Sequence, residues 1–165
     1  NFLGGGIKIV DNYYDKSYVS KTGYHIYAGD NYLSHDDTTL SNDTVDDADV
    51  WSLSNAPSDN GTTTIYTRID NRNYYLNCSS SWLTTNLSLN TNSTTWTYKS
   101  SGDGYLLSCT VNSFFGNTKY YLRYNNGWTY TDSQANATVL TFAILLAIAS
   151  LRSQAASAAL SKTLM

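Results

Sequence analysis

The heptapeptide Asp47-Ala-Asp-Val-Trp51-Ser-Leu53 recurs twice along this chain in altered form. The later copies read Asn92-Ser-Thr-Thr-Trp96-Thr-Tyr98 and Asn136-Ala-Thr-Val-Leu140-Thr-Phe142. Their central apolar residues, Trp51, Trp96 and Leu140, follow one another at intervals of 45 and 44 positions. A near-constant period of this length predicts one structural unit that is used three times.

Other markers keep the same period. Apolar and polar residues alternate roughly over 24–28, 64–69 and 105–111, as half-buried strands require. A Tyr-Leu pair then follows in each unit, at Tyr32-Leu33, Tyr75-Leu76 and Tyr121-Leu122. A third apolar segment comes next and contains Leu40, Trp82-Leu83 or Trp128. Turn formers such as Asn126-Gly127 separate these segments. Each unit is therefore predicted to hold four short strands, and the fold to be all-β.

One junction between units carries a family resemblance. The run Trp96-Thr-Tyr-Lys-Ser-Ser-Gly-Asp-Gly-Tyr105-Leu-Leu resembles ricin-B-type β-trefoils, in which a Trp closes one repeat and a Gly-Tyr strand opens the next. The resemblance covers roughly residues 23–142. It implies a shared pseudo-threefold core, built from Trp51, Trp96, Leu140, Leu33, Leu76 and Leu122. A β-sandwich with fortuitous similarity between segments is the competing fold.

The resemblance also implies sugar binding, but the usual residues for it differ here. That family commonly carries Gln two positions before the closing Trp, where this chain has Asp49, Thr94 and Thr138. It commonly carries Asp just after the Leu of the second strand, where this chain has Ser34, Asn77 and Arg123. Without that carboxylate, vicinal sugar hydroxyls lose their strongest acceptor. A secreted carbohydrate-binding lectin, with sugar rings stacked on Tyr124, Trp128 and Tyr130, is therefore the alternative function.

Charge narrows the range of partners. The net charge is −3, and ten basic residues are scattered along the chain, so no positive stripe exists to follow a phosphate backbone. Nucleic-acid binding is therefore not expected. Charged residues make up only 14% of the sequence, which is low for a surface that must resist association. Either attached glycans hydrate this protein, or other chains cover part of its surface.

Six Asn-x-Ser/Thr sequons fall in or beside predicted loops and strand ends. Composition alone would give roughly four matches to so short a pattern, so the number of sequons carries no weight. An extracellular, secreted or cell-surface location is nevertheless predicted, with glycan on at least one sequon. The six asparagines are Asn42, Asn60, Asn77, Asn86, Asn92 and Asn136.

The chain has two cysteines, Cys78 and Cys109. In an extracellular protein such a pair favours a disulfide, which would close a loop of about thirty residues and stabilise the fold by about 3 to 4 kcal/mol. Two buried free thiols are the alternative. No metal site or cofactor is predicted, because His25 and His35 lack ligand-like spacing to the cysteines.

Catalytic chemistry is not predicted either. The aspartates at 36–37 and within 43–49 lack the glycine and terminal glutamate of a calcium-binding loop, so a solvated acidic loop is expected. Glutamate is absent from the whole chain. Ser, His and Asp occur without the setting that activates a nucleophile. The protein is therefore interpreted as non-enzymatic.

The ends of the chain lie outside the repeats. Residues 1–22 are predicted to be an N-terminal extension. Residues 143–165 are rich in Ala and Leu, lack Gly and Pro, and are predicted to form a C-terminal α-helix. The apolar run from Val139 ends at Arg152, short of the roughly 20 residues that span a bilayer, so no transmembrane span is expected.

The leading functional hypothesis follows from these extensions. Apolar residues on more than one face of the predicted helix need a partner, and a second copy of the chain is the simplest one. The sequence thus predicts an extracellular structural glycoprotein subunit that self-assembles into an oligomer or fibril. Phe114 and Phe115 are expected to be buried or to lie in a contact between subunits. The residues predicted to carry assembly are Ile144, Leu145, Ile148, Leu151 and Ala155.

Overall fold

The computed structural model of the chain describes residues 22–44 and 48–146. Tyr24–Ala143 belongs to one compact unit. Residues 22–23 and 144–146 are also described and are not part of that unit. The predicted N-terminal extension lies almost entirely outside the described residues.

The described residues form thirteen β-strands and one short 3-10 helix, and no α-helix is found among them. The first repeat contains β1 (Thr22–Ala28), β2 (Asn31–Asp36), β3 (Thr39–Asp43) and β4 (Ser52–Leu53). The second contains β5 (Thr62–Thr63), β6 (Ile65–Ile69), β7 (Arg72–Ser81), β8 (Thr84–Asn90) and β9 (Trp96–Ser101). The third contains β10 (Gly104–Ser113), β11 (Gly116–Tyr124), β12 (Trp128–Thr131), the 3-10 helix Gln134–Asn136 and β13 (Thr141–Leu146). The prediction of an all-β fold is confirmed.

Strand pairing follows the repeat. The last strand of each repeat neighbours a strand near the start of the next repeat, in the pairs β4–β6, β9–β10 and β13–β1. Within each repeat, the central residue of the heptapeptide pairs back to the opening strand, in the pairs Tyr24–Trp51, Thr63–Trp96 and Tyr105–Leu140. These pairings run through all three repeats and return to β1. The other strands form antiparallel hairpins, β2–β3, β7–β8 and β11–β12.

The core lies where the three repeats meet. Its centre holds the six residues predicted for it, and each is fully buried: Trp51, Trp96, Leu140, Leu33, Leu76 and Leu122. Burying a large apolar side chain stabilises a fold by about 1.5 to 3 kcal/mol, so this shared cluster makes each repeat depend on the other two. Tyr98 is also buried, and its hydroxyl donates to the Asn55 carbonyl. Burial raises the pKa of Tyr98 to about 12, so the phenol stays neutral.

The structure overturns the predicted start of the C-terminal helix. Residues 143–146 continue strand β13, and the predicted boundary after Phe142 falls inside that strand. Helix propensity is a weak preference, which pairing in a sheet overrides when a neighbouring strand is available. Ile148, Leu151 and Ala155 lie outside the described residues, as does the rest of the predicted helix.

A second prediction that fails concerns Trp82 and Leu83. The sequence pattern places them in a strand. In the structure they form the turn between β7 and β8, with Ser81 paired to Thr84. Trp82 has a positive φ of 57°, which a strand does not allow. The β-propensity of Trp misleads here, because that propensity measures fit to a half-buried surface and this position has none.

Gly104 provides a test of the contact between the third repeat's first and last strands. A Cβ added there would lie 2.3 Å from the Leu140 carbonyl oxygen and 2.9 Å from Val139 Cγ1. We expect Gly104→Ala to lower the free energy of unfolding by about 1 to 3 kcal/mol, because a backbone oxygen cannot move aside cheaply. Denaturant unfolding would measure the change.

Gly29→Asn is the matched control. Gly29 has a φ of 61° and open space around its Cα, and Asn tolerates that conformation. Its unfolding free energy should stay within about 0.5 kcal/mol of the parent chain. Equal effects of the two substitutions would contradict the close approach at Gly104.

Candidate functional site

Each repeat contains the same hydrogen bond, in which a backbone amide donates to a polar side chain that precedes the core residue. The His35 amide donates to Asp49 Oδ2 at 2.7 Å, the Cys78 amide to Thr94 Oγ1 at 3.0 Å, and the Tyr124 amide to Thr138 Oγ1 at 2.8 Å. Each amide lies two residues after a buried Leu, and each acceptor two residues before Trp51, Trp96 or Leu140. Sequence reasoning missed this role, although the shared spacing was visible. The side chains of Asp49, Thr94 and Thr138 therefore help to hold the fold together.

The positions where the resembled family carries its sugar-binding Asp are also structural in two repeats. Ser34 is fully buried, and its Oγ accepts from the Asp49 amide at 3.3 Å. Asn77 is 4% exposed, and its Nδ2 donates to the Asn92 carbonyl at 3.0 Å. Neither side chain is free to bind a ligand.

The main cleft among the described residues has a volume of about 510 Å³ and lies beside the second repeat. Its walls come from the outer part of β7, the loop before β9, and the middle of β10. Hydroxyl and amide side chains dominate the walls, and no charged residue lines the cleft. Such walls can offer hydrogen bonds to a neutral polar ligand, but they supply no acid, base or nucleophile in an activating setting.

Of the three predicted sugar-stacking residues, two lie against each other and the third takes part in a contact between repeats. Tyr124 and Trp128 face each other across the β11–β12 hairpin, with ring centroids 5.0 Å apart. The Tyr130 hydroxyl donates to the Thr85 carbonyl at 2.7 Å, and its ring packs edge-on against Tyr120. Tyr130 thus joins the third repeat to the second. Carbohydrate binding stays a prediction for this chain.

Two hairpin turns carry a cluster of exposed apolar side chains, which we name the tip cluster: Trp82, Leu83, Phe114 and Phe115. The four residues are 61–79% exposed. Phe114 lies 5.2 Å from Trp82 and 5.2 Å from Phe115, between ring centroids, so the two turns meet. The predicted burial of Phe114 and Phe115 within their own chain is therefore wrong. The reason is that both occupy the two-residue turn between β10 and β11, which projects away from the core.

Trp82 also holds an unfavourable backbone conformation. A positive φ is a true outlier for a bulky side chain and costs on the order of 1 to 3 kcal/mol. Asn or Gly would form the same turn without that cost. Folding alone therefore gives no reason for a Trp at this position.

Five of the six sequon asparagines are exposed: Asn42, Asn60, Asn86, Asn92 and Asn136. Asn77 differs, because its side-chain amide is buried and its Oδ1 accepts from Ser79 Oγ at 2.8 Å. A transferase cannot reach this amide in the folded chain.

The structure brings the two cysteines together. Both are buried free thiols, and each is the neighbour that perturbs the pKa of the other. The interaction lowers the pKa of Cys78, while the interaction together with burial raises the pKa of Cys109 well above its ordinary value. Since β7 belongs to the second repeat and β10 to the third, a disulfide here would join two repeats. The predicted bond itself stays a prediction.

The remaining titratable groups offer no metal centre within the described ranges, because no three His, Cys or Asp side chains converge there. His35 and Asp49 form one pair, with Nε2 3.6 Å from Oδ2. In the same part of the chain, no helix is long and apolar enough to cross a membrane.

Comparisons with protein-family models, with curated proteins and with solved structures find no match to this chain. Function is therefore inferred from the residues of this chain and their geometry.

The cysteine pair yields a stability prediction. After oxidation, neither thiol should react with a labelling reagent under denaturing conditions, because the two side chains are neighbours in the fold. The unfolding free energy should then fall by about 3 kcal/mol when a reductant is added.

A Cys109→Ser chain is the control, since it should unfold equally with and without the reductant. Two labelled thiols in the oxidised parent chain would rule out the disulfide.

Proposed function

We propose that residues 23–142 form a β-trefoil. Two features support this assignment. Strand pairs link each repeat to the next and return to β1. The amide-to-side-chain bond of Asp49, Thr94 and Thr138 occurs once in each repeat. A β-sandwich gives no reason for a bond that recurs at 44- and 45-residue intervals.

We further propose that the protein is a non-enzymatic, extracellular structural glycoprotein subunit that self-assembles through its terminal extensions. The observation that carries this proposal lies at β13, where the C-terminal extension begins. Ile144 is 55% exposed and Leu145 is 37% exposed. Successive strand residues point to opposite faces of a sheet, so both faces at the end of β13 present apolar side chains.

The position of β13 strengthens the case for assembly. In the sheet order β13–β1–β2–β3 it is a terminal strand, and within the described ranges its only further pairing is the Tyr105–Leu140 bridge. Charged residues, which natural proteins place on such edges to prevent association, are absent from Thr141–Leu146. An unprotected apolar edge is a template for a strand of another chain.

Low charge and exposed sequons support the extracellular part of the proposal. With 14% charged residues, the surface needs another source of hydration or a covering partner. Glycans on the exposed sequons would supply that hydration while leaving β13 uncovered, since none of these asparagines lies in that strand.

Analytical ultracentrifugation of the full chain tests assembly. The parent chain should sediment well above the 18.3 kDa of one copy. Ile144→Lys should shift it towards the monomer, because a lysine at an exposed edge opposes pairing with another chain.

Val50→Lys is the matched control, since Val50 is 48% exposed in a loop of the first repeat. It should leave the sedimentation unchanged. A monomeric parent chain, or an Ile144→Lys chain that assembles as before, would refute the proposal.

Expression through a eukaryotic secretory pathway tests glycosylation. Glycosidase treatment should lower the intact mass, and site mapping should find glycan on one or more of the five exposed asparagines. Asn77 should carry none, and Asn77→Gln should leave the glycan mass unchanged. An unmodified secreted chain, or glycan on Asn77, would contradict the placement of these sites.

A further inference from the structure

Among the described residues, the seven turns of two or three residues that join neighbouring antiparallel strands divide into two kinds. Five are built from Asp, Asn, Gly and Thr, the residues that turns favour, and they are Gly29-Asp30, Asp37-Thr38, Asp70-Asn71, Gly102-Asp103 and 125–127. The other two are Trp82-Leu83 and Phe114-Phe115, which form the tip cluster. The two exceptions are neighbours in space, so their apolar character is concentrated at a single place.

The repeat supplies an internal comparison. Trp82 has a φ of 57° in the second hairpin of its repeat, where the first and third repeats place Asp37 at 52° and Asn126 at 55°. Phe114-Phe115 occupies the turn that Gly29-Asp30 and Asp70-Asn71 occupy in the other repeats. At position 82 the same backbone conformation therefore forms with polar residues, and polar residues also close the turns that correspond to Phe114-Phe115, so the fold does not need apolar residues at the tip cluster.

The area of the tip cluster is small for a protein partner. At 61–79% exposure, the four side chains present roughly 500 to 600 Å². A stable protein interface buries about 800 Å² on each partner and needs a complementary surface. A lipid interface deforms around a small exposed cluster and needs no matching shape.

The surroundings of the tip cluster also fit a lipid interface. The turns and their flanks, residues 80–85 and 112–117, contain no charged side chain, so insertion would strip water from no charge. Ser113 Oγ accepts from the Phe115 amide and donates to the Gly116 carbonyl, which satisfies turn groups that would otherwise need water. Ser80 and Thr85 pair their hydroxyls at 2.9 Å behind the other turn.

We propose that the tip cluster is a membrane-docking site, through which Trp82, Leu83, Phe114 and Phe115 insert into the interfacial layer of a phospholipid bilayer. Trp and Phe favour the region where headgroups meet acyl chains, and an insertion of about 5 to 10 Å would cover the four side chains. Because no charge lines the cluster, binding depends on the bilayer interface and not on anionic headgroups. This site shares no residue with β13.

Vesicle flotation of the full chain tests the proposal. The protein should float with vesicles of pure phosphatidylcholine, and high salt should not release it. The chain has four tryptophans, and Trp82 is the exposed one, since Trp51 and Trp96 are fully buried and Trp128 is half-buried. Its fluorescence should shift to the blue on binding, and lipids brominated near the headgroup should quench it.

The combined Trp82→Asn and Phe115→Ser variant should lower vesicle binding at least tenfold. Asn suits the positive φ at position 82, so the melting temperature should not fall, and loss of binding will not reflect unfolding. Val50→Ser is the control that should bind vesicles as the parent does.

Several results would overturn the proposal. The parent chain could fail to float with phosphatidylcholine, or could bind only anionic vesicles and be released by salt. Binding could survive in the double variant, which would place the contact elsewhere. Finally, the double substitution could dissociate an oligomer in the absence of lipid, which would make the tip cluster an interface between copies.

Discussion

The fold depends on how each hairpin is tied to the shared core. The indole of Trp51 donates to the Leu33 carbonyl at 2.8 Å, and that of Trp96 donates to the Leu76 carbonyl at 3.0 Å. Leu140 has no such donor, and in its repeat the Thr138 amide donates to the Leu122 carbonyl at 3.2 Å. A buried carbonyl without a donor would cost about 1 to 3 kcal/mol, so all three repeats must provide one. The core residue and the loop before it are therefore fixed together.

This constraint explains which parts of the sequence repeat and which vary. The buried Leu, the residue that caps its carbonyl, and the polar acceptor two positions before the core residue appear in every repeat. The turns at the far ends of the hairpins take no part in these bonds. They can change from Asp37 to Trp82 without disturbing the core, because the backbone conformation is kept. Substitutions in these turns therefore change the surface of the fold at the smallest cost in stability.

Much of the architecture could be predicted from the sequence, because period and alternation are local signals. The three heptapeptides gave the repeat, and Asn126-Gly127 marked a true turn. The failures concern properties that depend on neighbours. The apolar run after Phe142 has helix propensity, yet Thr141–Leu146 is a strand because β1 is available to pair with it. The burial of Asn77 and the exposure of Phe115 follow from the tertiary position of β7 and β10, which spacing alone does not give.

The hydrogen bonds around the core also limit which residues can carry the function. The polar residues nearest the core are already in use: Asp49 and Thr94 accept from backbone amides, while Ser34 and Asn77 bind the loops before Trp51 and Trp96. Groups of this kind hold the structure in place, because their hydrogen bonds fix the loops before the core residues. The exposed apolar groups at the turns and at the end of β13 have the opposite character, since water is a poor environment for them. Covering those groups releases free energy only when another surface arrives. The exposed apolar groups that folding leaves uncovered are therefore the ones through which this protein would contact other surfaces.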